Sequence, residues 1–253
     1  MKIVIFLTRA RSTAERQNPR PLGRGASHGF QIRLSESCNV FKGLKCDKIS
    51  KYLLGGIHME EIRETKDEIR DKIEKTHAAI AESEVEEKTR RIENRLFEFA
   101  NFLEANIVLL YINSTSEVNS WKILQRCFDY KKIVILPAFD AIKYQMKLMK
   151  VDNLNTDLIL GPRDILEPDS SRSHIVPIEC IDIAIIPGVA FDEKGGRIGS
   201  GDGYYDRLIP KLSITTRKVA LAFESQIIPL INMESHDKYV DIIITEKRII
   251  YKI

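Results

Sequence analysis

The chain has 253 residues, of which 43% are apolar and 30% are charged, as expected of a globular protein with a sizeable core. Its longest apolar runs are far too short to cross a bilayer, and the run at the start is shorter than a signal peptide requires. We therefore expect a cytoplasmic protein with no membrane partner. The four cysteines form no CxxC pair, so neither a zinc site nor a disulfide framework is indicated.

The formal net charge of +3 hides two different segments. Residues 1–57 contain 11 Lys or Arg against 3 Asp or Glu, whereas the remainder contains 28 against 33. The first segment is rich in Arg, Pro, Gly and Ser and shows no lasting apolar periodicity. We interpret residues 1–58 as a basic leader that is disordered or non-native, with an RNA-binding arm as the alternative. We interpret residues 59–253 as a single domain. Their acidic balance predicts that this domain has no nucleic-acid partner.

Within this domain, helix patterns come first and then alternate with strand patterns. The predicted elements are helices over 60–82 and 84–103, a strand over 107–112, a helix over 117–128, a strand over 133–136 ended by Pro137, a strand around 144–148, a strand over 181–186, a helix from 204 to about 212, and strands over 219–223, 241–245 and 249–251. Strands that alternate with helices indicate an α/β fold, with a mainly parallel sheet in a three-layer arrangement between helices.

Residues 181–207, IDIAIIPGVAFDEKGGRIGSGDGYYDR, are the most informative stretch. Gly199, Gly201 and Gly203 alternate in it, and glycines at every second position let a bulky anion approach the backbone N–H groups. The spacing matches neither the Walker A loop nor GxGxxG, and surface hairpins use glycines in the same way. The glycines alone therefore favour an ordinary turn, with a polyphosphate loop as the alternative.

The residues that flank the loop favour the polyphosphate interpretation. Arg197 precedes the glycines, and a helix starting at Tyr204 would add the positive end of its dipole. Asp206 lies in the first turn of that predicted helix, where it could hold a divalent cation.

Two motifs around the glycines resemble the signature of the 5-formyltetrahydrofolate cyclo-ligase family. They are Pro-Gly-x-x-Phe-Asp at residues 187–192 and Tyr-Tyr-Asp-Arg at residues 204–207. The resemblance extends over about residues 62–247 and implies a Rossmann-like fold. It also implies an ATP- and Mg²⁺-dependent cyclisation of 5-formyltetrahydrofolate to 5,10-methenyltetrahydrofolate, with release of ADP and phosphate.

The resemblance assigns roles to individual positions of this sequence. It implies ATP contacts at Lys66, Arg70, Arg197, Gly199, Ser200, Gly201, Asp202, Gly203, Tyr204 and Tyr205, folate contacts at Ile112, Glu117, Met146 and Tyr204, Mg²⁺ ligands at Asp206 and Asp237, and catalytic roles for Arg197 and Tyr204. Lys66 and Arg70 are four residues apart and could grip one polyanion, although such a pair is usually a solvated helix face. Glu117 could equally be an acid in the first turn of a helix.

Ser200 and Asp202 depart from the family pattern, in which these positions often carry a larger residue and a glycine. Asp202 brings a negative charge near the expected phosphates. It could cap the following helix, bind metal, or weaken nucleotide affinity.

Two other functions remain open at this point. One is an ATP-using paralogue that acts on a modified pterin or another N-formyl compound. The other is a folate- or nucleotide-binding module without turnover, which two metal-binding aspartates would not require. In each case the expected partners are ATP and a reduced folate or related pterin, in a monomer or homodimer.

Overall fold

The computed structural model describes residues 64–114, 116–140, 144–161 and 163–252. The predicted leader, residues 1–58, and the start of the first predicted helix lie outside these residues. No helix among the described residues has both the length and the apolar character needed to span a bilayer.

Helix α1 (Lys66–Ala78) begins at a reciprocal capping box. The Thr65 hydroxyl accepts a bond from the Glu68 N–H (3.3 Å), and the Glu68 carboxylate accepts one from the Thr65 N–H (2.7 Å). The predicted end of this helix, at residue 82, is wrong. The Ile80 N–H bonds to the His77 carbonyl in a tighter turn that ends the helix.

The predicted helix over residues 84–103 is two helices, α2 (Glu82–Glu98) and α3 (Ala100–Glu104). Phe99 separates them with an extended backbone (φ −76°, ψ 117°). Its side chain is buried, which explains why the break is stable: the bend places an aromatic ring in the core.

The strands and the remaining helices follow along the chain. They are β1 (Ile107–Leu109), α4 (Trp121–Asp129), β2 (Ile133–Asp140), β3 (Gln145–Val151), β4 (Leu158–Leu160), β5 (Leu166–Pro168), β6 (His174–Ile175), β7 (Ile183–Ile185), β8 (Ala190–Phe191), β9 (Arg197–Ile198), α5 (Tyr204–Leu208), β10 (Arg217–Leu221), β11 (Ile242–Ile244) and β12 (Ile249–Tyr251). A 3₁₀ turn, Ile209–Lys211, follows α5, so the predicted helix to residue 212 is shorter than expected.

Eight strands form the central sheet in the order β12-β11-β10-β7-β1-β2-β3-β6. The five strands from β11 to β2 are mutually parallel, and β12, β3 and β6 join through antiparallel pairs. Successive residues of a strand face opposite sides, so in β1 Val108 packs with α2, α3 and α4, whereas Leu109 packs with α5. The predicted α/β fold, with a mainly parallel sheet between helices, is confirmed.

Strand β2 does not end at Pro137, as predicted, but continues to Asp140. Ile133 and Ile135 direct their main-chain groups toward β1, so Pro137, two residues further, faces the same side. Strand β1 has already ended there, so the proline removes no ladder hydrogen bond. Because of this extension, β2 pairs with β3 from Val134 to Asp140.

Two small antiparallel hairpins that the sequence patterns did not predict lie beside the main sheet. They are β4–β5 and β8–β9. The second hairpin leads directly into the glycine loop, and the first carries the turn that contains Arg163. Both hairpins therefore contribute to the site described below.

Candidate active site

A cavity of about 290 Å³ lies at the carboxyl ends of β1, β2 and β7, where parallel α/β sheets place their ligand sites. Its lining includes residues from the loop after β1, the outer half of β2, the β4–β5 turn, the glycine loop and the start of α1. The predicted residues that line it are Lys66, Arg70, Ile112, Glu117, Arg197, Gly199, Ser200, Gly201, Gly203, Tyr204, Tyr205, Asp206 and Asp237.

The glycine loop forms one wall of this cavity. Gly201 and Gly203 have φ values of 115° and 67°, a region that favours glycine. An added Cβ at Gly199 would lie 2.6 Å from Arg197 Nη1, so a side chain at this position would have to displace the Arg197 guanidinium from its ion pair. Helix α5 is only five residues long, so the expected contribution of its dipole is small and the loop must act through its backbone N–H groups.

Arg197 and Asp206 form an ion pair beneath the loop, in which the arginine is buried and the aspartate is partly exposed. Arg197 Nη2 lies 2.8 Å from Asp206 Oδ1, and the Arg197 side chain is 2% exposed. Nη1 donates to the Pro187 carbonyl at 3.2 Å, whereas Nε is buried with no partner among the described residues. Asp206 Oδ1 also accepts a bond from the Lys238 N–H at 3.1 Å. The guanidinium is therefore fixed in place, and its buried Nε–H has no partner among the described residues.

Helix α1 contributes two cations to the lining of the cavity. Lys66 Nζ lies 2.6 Å from Asp237 Oδ2 and 2.9 Å from Glu234 Oε1. Burial lowers the pKa of Lys66, but the hydrogen bonds to Asp237 and Glu234 outweigh it and leave the pKa raised. Arg70 Nε donates to the Gly199 carbonyl at 2.8 Å, which ties the helix to the glycine loop. The spacing of four residues does place both side chains at one site.

Carboxylates gather at the same end of the cavity. One ligand atom each from Glu234, His236 and Asp237 lies within 4.8 Å of the others, and Asp206 lines the same cavity. Both contacts described for Asp206 fall on Oδ1, which leaves Oδ2 as an oxygen donor. Carboxylate oxygens are the ligands that Mg²⁺ prefers, so this set fits a hard divalent cation.

Glu117 lies in the loop before α4 and not in the first turn of that helix. The helix begins at Trp121, because the Tyr111 hydroxyl donates to the Val118 carbonyl (3.0 Å) and holds the preceding residues out of helical geometry. The interpretation of Glu117 as a helix-terminal acid is therefore wrong. Its carboxylate accepts a bond from the Ser114 N–H at 2.8 Å. Burial raises the pKa of Glu117, against the opposing effect of that bond.

Aromatic rings line the part of the cavity near β2. The Tyr204 and Phe139 rings meet edge to face, with centroids 4.9 Å apart. The Tyr205 hydroxyl is buried with no partner among the described residues, and burial raises the pKa of Tyr205. The polar groups of the loop thus adjoin an apolar, aromatic part of the lining.

Two predicted site residues lie outside this cavity. Met146 lines a neighbouring depression of about 460 Å³ that shares Tyr204 with the cavity, and it packs partly into the core beside β2. Asp202 points instead to Arg163, with Nη2 and Oδ2 3.1 Å apart. The N-cap of α5 is Gly203 without a side-chain cap, so Asp202 does not cap the helix.

Sequence patterns missed several residues of the lining, among them Tyr111, Phe139, Arg163 and Glu234. Tyr111 and Phe139 read as core or strand residues, and Glu234 is one acid among many. Arg163 lies in a turn with no motif around it. These four residues meet at the cavity only when the chain is folded, and no local sequence pattern indicates that they do.

The chain is similar to proteins of known family over most of its described length. Residues 62–246 match the model of the 5-formyltetrahydrofolate cyclo-ligase family. A probable 5-formyltetrahydrofolate cyclo-ligase of Caenorhabditis elegans is 29% identical over 201 residues, which is 74% of this chain and 96% of that protein. The 5-formyltetrahydrofolate cyclo-ligase of Escherichia coli strain K12 is 22% identical over 178 residues, 70% of this chain and 98% of that protein.

Solved structures show the same fold. The 5,10-methenyltetrahydrofolate synthetase of Aquifex aeolicus superposes with a TM-score of 0.66 at 28% identity, covering 74% of this chain and 92% of that one. The 5,10-methenyltetrahydrofolate synthetase of Mycoplasma pneumoniae gives a TM-score of 0.59 at 18% identity, covering 72% and 99%, and shows the fold alone.

The fold and the cavity define an α/β protein with a charged small-molecule site at the carboxyl edge of its sheet. The chain belongs to the 5-formyltetrahydrofolate cyclo-ligase family, and it is an enzyme of the ligase class.

Proposed function

We propose that this protein uses ATP and Mg²⁺ to convert 5-formyltetrahydrofolate to 5,10-methenyltetrahydrofolate, with release of ADP and phosphate. One observation carries the proposal: a single cavity is lined by a glycine loop, cations and carboxylates and also by Glu117 and aromatic rings. The first group has the chemistry of a polyphosphate site, and we place the phosphates there. The second group has the chemistry of a site for a flat heterocycle, which we place at the other end.

At the phosphate end, the glycine loop from Gly199 to Gly203 binds the phosphates through its backbone N–H groups. Lys66, Arg70 and Arg197 offset their charge. Arg197 is already fixed by Asp206, so it pays little conformational entropy on binding.

Asp206 and Asp237 hold the divalent cation, with Glu234 as a further oxygen donor. When bound, this cation neutralises phosphate charge during transfer. Lys66 and Arg197, which now pair with the two aspartates, hold both carboxylates in position until the ligands arrive.

At the other end, Glu117 accepts paired N–H bonds from the aminopyrimidine edge of the pterin. Its partial burial favours this role, because a desolvated carboxylate gains most from new donors. Ile112 and the Tyr204 ring lie against the apolar faces of the folate. Met146 contacts the part of the folate that extends out of the cavity beside Tyr204, into the neighbouring depression that both residues line.

The reaction requires positioning rather than a nucleophilic side chain. The formyl oxygen belongs to an amide and is a very poor leaving group. Transfer of the γ-phosphoryl group of ATP to that oxygen releases ADP and makes it a good one. N10 of the folate then attacks the formyl carbon, the ring closes and phosphate leaves. The residues of this cavity hold the two substrates in contact and stabilise the transferring charge.

The test is a direct assay of the purified protein. With Mg-ATP and 5-formyltetrahydrofolate, we expect the near-ultraviolet absorbance of the methenyl product together with an equal amount of ADP. Binding of both ligands without absorbance change or ADP would contradict turnover and support the binding-module alternative. The predicted cytoplasmic location also belongs to this proposal, and fractionation of the native cells tests it.

A further inference from the structure

Arg163 is a cation of the cavity to which the function proposed above gives no role. It lies in the turn between β4 and β5, and its side chain lines the cavity while remaining 25% exposed. The Arg163 side chain is therefore mostly enclosed by protein but still reached by solvent.

Aromatic rings pack against the Arg163 guanidinium. Its carbon lies 4.6 Å from the centre of the Phe139 ring and 5.4 Å from that of the Tyr204 ring. These two rings in turn pack edge to face. Cation–π attraction to both rings restrains the position of the guanidinium in the cavity wall.

An ion pair adds a second restraint, on the direction of the guanidinium. Arg163 Nη2 lies 3.1 Å from Asp202 Oδ2, and Asp202 is half exposed and outside the cavity lining. Arg207 holds the same loop residue from the other side, since its Nη2 donates to the Asp202 carbonyl at 2.7 Å and its Nε to the Tyr144 carbonyl at 2.9 Å. Asp202 is thus anchored at both its carbonyl and its carboxylate.

This arrangement resolves the difficulty of an acid in a phosphate-binding loop. A carboxylate facing the cavity would repel anionic ligands, but the Asp202 carboxylate points outward and Arg163 cancels its charge on the cavity side. A guanidinium carries five N–H donors, and the ion pair with Asp202 engages only one of its ends. The other donors remain for a ligand.

We propose that Arg163 binds an anionic oxygen of the bound ligand, and that Asp202 is the positioning residue that orients its guanidinium. The inference rests on the function proposed above. Two groups share the required chemistry: a phosphate of the nucleotide and a carboxylate of the glutamate moiety of the folate. A planar, oriented guanidinium suits either group because it can donate two parallel bonds.

The experiment measures ligand binding and turnover for Arg163→Ala, with Arg172→Ala as the control. Arg172 is an exposed arginine outside the cavity lining, which donates to the Thr156 carbonyl. Calorimetric titration with Mg-ADP and, separately, with 5-formyltetrahydrofolate should show a loss of affinity of about tenfold to a hundredfold for one ligand in Arg163→Ala, as expected for a charged hydrogen bond. The affected ligand identifies the source of the oxygen, and Arg172→Ala should match the wild type.

Two further variants separate positioning from general electrostatics. Arg163→Lys keeps the charge without the planar fork and should recover only part of the affinity. Asp202→Asn should weaken the same ligand by about twofold to fivefold, the range of a half-exposed ion pair. In an Arg163→Ala background, Asp202→Asn should have no further effect on that ligand.

The outcomes distinguish this inference from the proposed function. A wild-type protein that binds neither ligand contradicts both. A wild-type protein that binds and turns over, with Arg163→Ala and Arg163→Lys unchanged, overturns the inference alone. Tighter binding in Asp202→Asn would show that this acid only repels the ligand, and its positioning role would be wrong. Circular dichroism of each variant establishes that a loss of affinity reflects the folded protein.

Discussion

The two edges of the parallel sheet use polar side chains in different ways. At the amino-terminal edge, side chains satisfy main-chain groups: Asp182 accepts bonds from the N–H groups of Asn106 and Ile107, and Thr216 donates to the Ile181 carbonyl. These contacts close strand ends that would otherwise be left without partners. They serve the fold, and nothing in them could be released to a ligand without loss of structure.

At the carboxyl edge, charged side chains pair mainly with one another. Lys66 with Asp237, Arg163 with Asp202 and Arg197 with Asp206 surround the cavity. Three of the six buried polar atoms that have no partner among the described residues also lie at this edge, namely Glu167 Oε1, Arg197 Nε and Tyr205 Oη. Unsatisfied groups cost stability, and two of these three residues line the cavity, as expected of a surface organised for ligands.

The largest expected difference between the edges comes from a matched pair of aspartates. Asp206→Asn removes the partner of Arg197 and a cation-binding oxygen, so we expect turnover to fall by about a thousandfold, a loss of roughly 4 kcal/mol of transition-state stabilisation. Asp241→Asn removes a comparable ion pair at the other edge, where Asp241 lies 2.9 Å from Lys218. It should leave turnover unchanged.

The measurement is the rate of methenyl product formation at saturating substrates, with folding of both variants checked by circular dichroism. Full activity in Asp206→Asn, or equal losses in both variants, would remove the distinction between the two edges.

Lys132 offers the converse test at the amino-terminal edge. Its ammonium group donates to the carbonyls of Phe102, Leu103 and Ala105 at 2.6, 3.1 and 2.6 Å. Lys132→Met would leave these carbonyls unsatisfied, so we expect a loss of about 2–4 kcal/mol in the free energy of unfolding. Urea denaturation measures it, and turnover per folded molecule should not change.

The exposed Lys122, in α4, provides the matched control for that lysine. Lys122→Met should cost less than about 0.5 kcal/mol. If the two variants were equally stable, the structural role of the Lys132 contacts would be wrong.

Glu117→Gln should act on substrate affinity. The amide can replace only one of the paired acceptor oxygens, so we expect the KM for 5-formyltetrahydrofolate to rise about tenfold with little change in kcat. Steady-state kinetics with each substrate varied in turn measures it. A rise in the KM for ATP alone would place Glu117 at the wrong end of the cavity.

The same variant carries a pH signature. Burial raises the pKa of Glu117 in the folded protein above its unfolded value, so the wild type loses stability as the pH rises between the two. Glu117→Gln cannot ionise and should lack this loss, which urea denaturation across that pH range would detect.

The smallest effect concerns the ion pair between Lys66 and Asp237. Burial tends to raise the pKa of Asp237, but the bonds from Lys66 and the Glu234 N–H outweigh it and lower the pKa. The resulting stabilisation is present above the unfolded pKa and disappears as the pH falls below about 4. Because solvent screens this pair, we expect less than about 1 kcal/mol.

Asp237→Asn should therefore flatten the acid side of the stability profile, measured by urea unfolding from neutral to acidic pH. An acid profile identical to that of the wild type would contradict the assignment.

Much of the fold follows from the sequence because buried strands carry continuous apolar runs and their alternation with helices specifies a parallel sheet. The errors occur where tertiary contacts override local patterns. Pro137 stays within β2 because β1 ends beside it, and the Tyr111 hydroxyl delays the start of α4 beyond Glu117. Phe99 breaks a helix because the core accepts its ring.

In the site, too, local patterns identify some residues, and only the fold brings the others together. The glycine loop is contiguous, so its residues and Arg197 could be identified from spacing and resemblance. Lys66 and Asp237 are 171 positions apart, and only the fold shows that they pair. Arg163 had no local signal, because its significance comes from two rings and one acid on separate loops.

A crystal structure of the protein soaked with Mg-ADP tests the proposed phosphate site without any mutation. We expect the diphosphate against the backbone of Gly199–Gly203, with the cation bound by Asp206 and Asp237. A nucleotide bound elsewhere, or a loop that stays closed against it at saturating concentration, would show that the glycine loop is not the nucleotide site.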